Sequence, residues 1–114
     1  MSFDQGNAAP LIMVVGDFAN TVQAARIPDI DRMLAVDFAE LEMAVRRDTP
    51  SVVISPLIGR TFDALDIVMV LNNANFSGLY RILVEHDISP NAVLSDLRAA
   101  APGVDSDFLI IESV

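Results

Sequence analysis

Residues 51–73 read SVVISPLIGRTFDALDIVMVLNN, and this stretch decides the fold class. Pro50 precedes a β-branched apolar run, Ser51–Ser55, of strand length. The loop Pro56–Arg60 follows, and then Thr61–Asn73, long enough for a helix and closed by Asn73, Ala74, Asn75 and Gly78. A strand with no polar alternation is covered on both faces, as in a parallel sheet, and the helix that follows is its crossover. Similar apolar runs recur at Leu11–Val15, Leu79–Val84 and Phe108–Ile111, with a shorter one at Met33–Val36.

Helix-like segments fill the gaps. Asn20 opens a short one carrying Phe18, Val22 and Ala25 up to Pro28. Asp37, with Glu40 three residues on, reads as a cap for a helix through Arg47 that buries Phe38, Leu41 and Val45 and pairs Glu42 with Arg46 outside. Phe62, Leu65 and Met69 form the expected buried stripe of the third helix. Ser89 and Pro90 start a fourth that buries Val93, Leu94 and Leu97 before Pro102 and Gly103 end it. Right-handed crossovers wind five such strands most simply as 2-1-3-4-5, giving a single three-layer, doubly wound α/β domain over residues 11–114 behind a flexible leader, 1–10.

In that winding the first helix has one face of the sheet to itself. A chain ending at Val114 holds no residues for a fifth helix, so that face, which the strand-five residues Phe108 and Ile110 are expected to share, should be thinly covered. The run IVMVL, residues 67–71, makes the third helix apolar nearly all round. Ile67, Val68, Val70, Leu71, Phe108 and Ile110 are therefore the expected contact residues of a homodimer.

Composition narrows the partners. Of 114 residues 53% are hydrophobic and 20% charged, and 16 acids against seven arginines give a net charge of −9. That field repels nucleic acid and anionic lipid. The absence of cysteine excludes disulfides and thiolate chemistry, and with no signal-peptide pattern in MSFDQGNAAP the expected location is the cytoplasm.

With the strands placed, VVISPLIGRTFDALDI resembles the third strand, loop and helix of response-regulator receiver domains, and the chain keeps their rhythm through strand five. The resemblance implies a flavodoxin-like fold and a place in signal transduction. Receivers phosphorylate an aspartate at the end of strand three, aided by an acidic pair after strand one, a hydroxyl after strand four and a lysine after strand five, each offsetting phosphoryl charge. Here those positions hold Gly16 and Asp17; Ser55 before Pro56; Glu85, His86 and Asp87; and Glu112, with no lysine anywhere. The resemblance thus implies a pseudo-receiver, noncatalytic and unphosphorylated, that recognises another polypeptide.

The degenerate crevice would gather Asp17, Ser55, Glu85, His86 and Glu112. The alternative it offers is a small ligand-binding domain, or a hydrolase-type enzyme with Ser55 activated by His86. No metal or cofactor is expected: the acids lack a ligand spacing, Gly16 stands alone where a phosphate loop would be, and Thr21 is all that remains of a flavodoxin-type hydroxyl loop.

Overall fold

The computed structural model describes residues 11–16, 33–85 and 90–111. Five strands, β1 (Ile12–Val15), β2 (Met33–Val36), β3 (Val52–Pro56), β4 (Leu79–Glu85) and β5 (Asp105–Ile111), form one parallel sheet in the order β2-β1-β3-β4-β5. The helices among the described residues are α1 (Leu41–Asp48), α2 (Ala64–Asn73) and α3 (Pro90–Ala100). The expected α/β winding is the observed one. The leader 1–10 and the helix expected between Asn20 and Pro28 lie outside the described residues.

Register explains the main core. Met13, Val53, Tyr80 and Ser106 are in-register partners across four strands. On that face the strand residues Met13, Val15, Val53, Tyr80, Ile82 and Val84 meet Leu41 and Val45 of α1, Ile67, Val68 and Leu71 of α2, and Leu97 of α3. Ile12, Val14, Ile54 and Leu83 form a second cluster on the opposite face, flanked by Met33, Val52 and Leu109. The expectation that this face is thinly covered is corrected at its centre, where Val14 and Ile54 are 0% and 1% exposed. The in-register neighbours Ala35, Val14 and Ile54 put the two buried residues side by side within the sheet. Phe108 and Ile110 belong to the other face, in register with Ile82 and Val84.

Local chemistry sets where the elements begin and end. Asp63, not Thr61, opens α2: its carboxylate accepts the Asp66 N–H at 2.9 Å while the Asp66 carboxylate accepts the Asp63 N–H at 3.0 Å, a reciprocal capping box. That start fixes the helix phase and overturns the expected stripe. Leu65 and Met69 are 45% and 48% exposed, while Ala64, Ile67, Val68 and Leu71 are buried. A helix apolar all round carries no periodicity from which the phase could be read. At the other end Asn75 takes a left-handed φ of 58°, and the Phe76 N–H reaches the Leu71 carbonyl at 3.0 Å in a Schellman closure.

Asp37 does not cap α1. Its side chain makes no cap hydrogen bond, and a 3-10 turn, Phe38–Glu40, intervenes. Leu41 and Val45 are buried and Phe38 half-buried, and Arg46 meets Glu42 at 3.0 Å as expected. On α3 Leu97 is buried, while Val93 and Leu94 are half-buried. β5 begins at Asp105, three residues before the apolar run. As an edge strand it carries acids on one side, and Asp107 pairs with Arg81 opposite it at 3.2 Å.

Candidate functional site

In open parallel sheets ligands sit beyond the strand carboxyl ends, at the point where the strand order reverses. Here the reversal lies between β1 and β3, and a cleft of about 610 Å³ opens there. Gly16 contributes from the end of β1, Asp37 and Phe38 follow β2, Pro56 ends β3, and Ile58 through Phe62 follow it. Phe38 and Phe62 stack with ring centroids 5.3 Å apart at 21°. The ring of Phe62 lies over Gly59 so closely that a Cβ there would come within 2.5 Å of it. The loop between is braced by Gly59 N–H to the Phe62 carbonyl at 2.8 Å and Ala64 N–H to the Leu57 carbonyl at 2.9 Å. Aromatic and aliphatic surface thus makes the floor, with Asp37, Arg60 and Thr61 exposed at the edge. Such a cleft can hold an apolar group with one charged or hydroxyl anchor.

Ser55, the sequence-predicted centre of the crevice, does not line it. The residue is 0% exposed, and its hydroxyl donates to the Pro56 carbonyl at 2.9 Å. The phenol oxygen of Tyr80 lies 2.5 Å from Ser55 Oγ. Since the one serine proton is committed to Pro56, Tyr80 is the donor of that second bond. Burial pushes the Tyr80 phenol well above its ordinary 10.0, with the Ser55 hydrogen bond opposing in part, so it keeps its proton. A hydroxyl whose proton is held and whose lone pair is taken is poorly placed to act as a nucleophile.

This arrangement has a measurable consequence in alkali. The neutral phenol belongs to the folded state and the unfolded chain ionises near pH 10, so this stabilisation is complete below about pH 10 and is lost as pH rises above it. Tyr80 is the single tyrosine. Tyrosinate absorbance is expected to rise only together with loss of the far-ultraviolet circular dichroism signal. Ionisation near pH 10 with that signal intact would place the phenol in contact with water.

Asp17, His86 and Glu112 lie outside the described residues. Glu85 ends β4 opposite Ile111, and its side chain is likewise outside them. Of the expected crevice set, Ser55 is the member whose side chain is among the described residues. Sequence reasoning missed the partner that matters, Tyr80, and the Phe38–Phe62 pair. An aromatic after each of β2 and β3 was the available signal. Among the contact candidates, Ile67, Val68 and Leu71 are 0% exposed. They pack into the chain's own core, which corrects their expected place at an interface. Val70 and Phe108 are partly buried against the same core, and Ile110 is 55% exposed.

No protein-family model and no curated protein matches the chain. Solved structures do. The receiver domain of the Francisella response regulator 1452 superposes with a TM-score of 0.59 at 14% identity, covering 89% of this chain and 83% of its own. The signal receiver domain of a protein assigned as a Luxo repressor from Vibrio parahaemolyticus gives 0.62 at 16% identity, covering 90% and 78%. Among the described residues no helix is long and apolar enough to cross a membrane. The fold is that of a receiver domain: a flavodoxin-like sheet wound 2-1-3-4-5.

Proposed function

We propose that this chain is a noncatalytic, receiver-like interaction module of a cytoplasmic signalling system, and that it is not phosphorylated. The observation that carries the reading is the end of β3. Where a receiver presents its acceptor aspartate, this chain has a serine sealed in the core by Tyr80. A buried serine cannot form an aspartyl phosphate, and the sequence has no lysine to steady one. Incubation with acetyl phosphate and magnesium is expected to leave the intact mass unchanged. An acid-labile phosphoryl adduct would overturn the reading.

The module is also proposed to be a homodimer. With Ile67, Val68 and Leu71 buried, the β5 edge carrying Ile110 is the remaining candidate, and there Asp107 is already offset by Arg81. Sedimentation velocity at tens of micromolar is expected to give a dimer that Ile110→Glu converts to monomer. A monomeric parent protein would remove self-association from the reading.

A second reading, a small-ligand site, draws on the 610 Å³ cleft with Arg60 and Thr61 at its edge. Its hydrolase form, built on Ser55 and His86, is not favoured, because the serine hydroxyl is turned into the core.

A further inference from the structure

A second concavity lies beside the strand-end cleft, between the start of α2 and the middle of α3, and Ile58 borders both. It has a volume of about 280 Å³ and is lined by Leu57, Ile58, Leu65, Val93 and Leu97. Ile58 is 75% exposed and Leu65 45%, so the apolar lining reaches the surface. Two acids, Asp63 and Asp96, line it as well, and Asp66 is tied to Asp63 through the capping box. The salt bridges among the described residues engage Glu42, Asp48 and Asp107 and not these three carboxylates. Arg60, on the same loop as Ile58, lines the strand-end cleft instead.

The geometry points to a docking site for a basic amphipathic helix of another protein. The inference rests on the interaction-module reading and names its surface and the chemistry of its partner. An apolar trough of this size takes about two aliphatic side chains one helical turn apart, the anchor spacing of helix-in-groove recognition. Its acidic rim selects what flanks those anchors. A second copy meeting this groove with the same face would set Asp63 and Asp96 against their own counterparts. Arginine or lysine beside the aliphatic anchors instead meets Asp63 and Asp96 across the rim.

The test uses two synthetic helical peptides that share one leucine-alanine face and carry either arginine or glutamate on the other, titrated into the full-length protein labelled with nitrogen-15. The arginine peptide is expected to saturate and to shift the amides of Leu65, Val93 and Leu97, with affinity falling about tenfold on Leu65→Gln, a change of about 1.4 kcal/mol. Asp96→Asn, on an exposed helix position that leaves the core untouched, is expected to weaken it severalfold and to flatten its salt dependence. Equal binding of the glutamate peptide, shifts mapping to another surface, or no saturation by either peptide would each overturn the proposal. So would concentration-dependent shifts of the same amides without peptide, which would make a second copy the occupant. Failure here leaves the acetyl phosphate result standing, and a phosphoryl adduct would remove the module reading without touching the groove, so the two can fail separately.

Discussion

Ser55→Asp, the replacement that rebuilds a receiver's acceptor residue in this sequence, is expected to destabilise the domain strongly at neutral pH and not to make it phosphorylatable. The side chain at this position is 0% exposed and sits against Tyr80. A carboxylate there has one phenol donor and no cation, and an uncompensated buried charge costs about 3–5 kcal/mol. Domains of this size have roughly 5–15 kcal/mol in all. The carboxyl would escape by staying protonated, which sets the sign of the pH dependence: its folded pKa is raised, so the variant is most stable below about pH 4 and weakens as pH rises through and above that value. Urea unfolding at pH 4 and pH 7 measures this directly. A variant as stable as the parent at pH 7 that also takes phosphate from acetyl phosphate would mean that the end of β3 opens into the cleft.

The milder substitutions at the same pair report on the hydrogen bond alone. Ser55→Ala strands the Tyr80 hydroxyl in the core, at a cost of about 1–3 kcal/mol. Adding Tyr80→Phe removes the stranded group, so the double variant is expected to lose less than the two single changes summed.

Gly78→Ala is the second large effect. Gly78 precedes β4, and the pattern of the sequence marks it as a turn glycine. Its φ lies outside the left-handed region, so the demand is for space and not for conformation. A Cβ at this position would collide with the Ser51 carbonyl oxygen and come within 2.7 Å of the Phe76 ring. Neither can give way. The Ser51 carbonyl accepts the Leu79 N–H at 3.0 Å, the Ser51 N–H is held by Leu11 at 3.0 Å, and Phe76 is buried in the main core. Overpacking of this kind costs about 1–3 kcal/mol, and with a backbone oxygen as the obstacle the upper end is expected in the urea midpoint. Gly103→Ala is the control. Its nearest neighbour would be Asn72 Oδ1 at 3.7 Å, and the change is expected to be neutral or stabilising by about 0.5 kcal/mol. Equal effects at the two positions would show that loss of glycine flexibility, and not the close approach to Ser51, governs both.

Much of the fold was legible because its signals are local. Met33–Val36 was readable to the residue, Pro90 marked the start of α3, and Asn75 with its neighbours marked the end of α2. Legibility failed where polar residues serve an edge. Asp105, Ser106 and Asp107 belong to β5 because one side of that strand has no partner among the described strands. It failed again at α2, where the capping box Asp63–Asp66 sets the phase and the apolar run Ile67–Leu71 hides it. Of the candidate site, the position of Ser55 at the end of β3 was readable. Its burial was not, because the partner that seals it is 25 residues away and reaches it only through the β3–β4 register.

By itself the sequence determined that five apolar strands alternate with helical crossovers and wind as one parallel sheet, since strand length, helix caps and crossover handedness act over a few residues at a time. Only the tertiary structure decided which way each side chain turns: Ile67, Val68 and Leu71 inward, Leu65 and Met69 outward, and the Ser55 hydroxyl into the core and away from the cleft. The physical reason is that a segment apolar on every side has no pattern from which to choose a face. The choice falls to the residues packed against it, and those come from elsewhere in the chain.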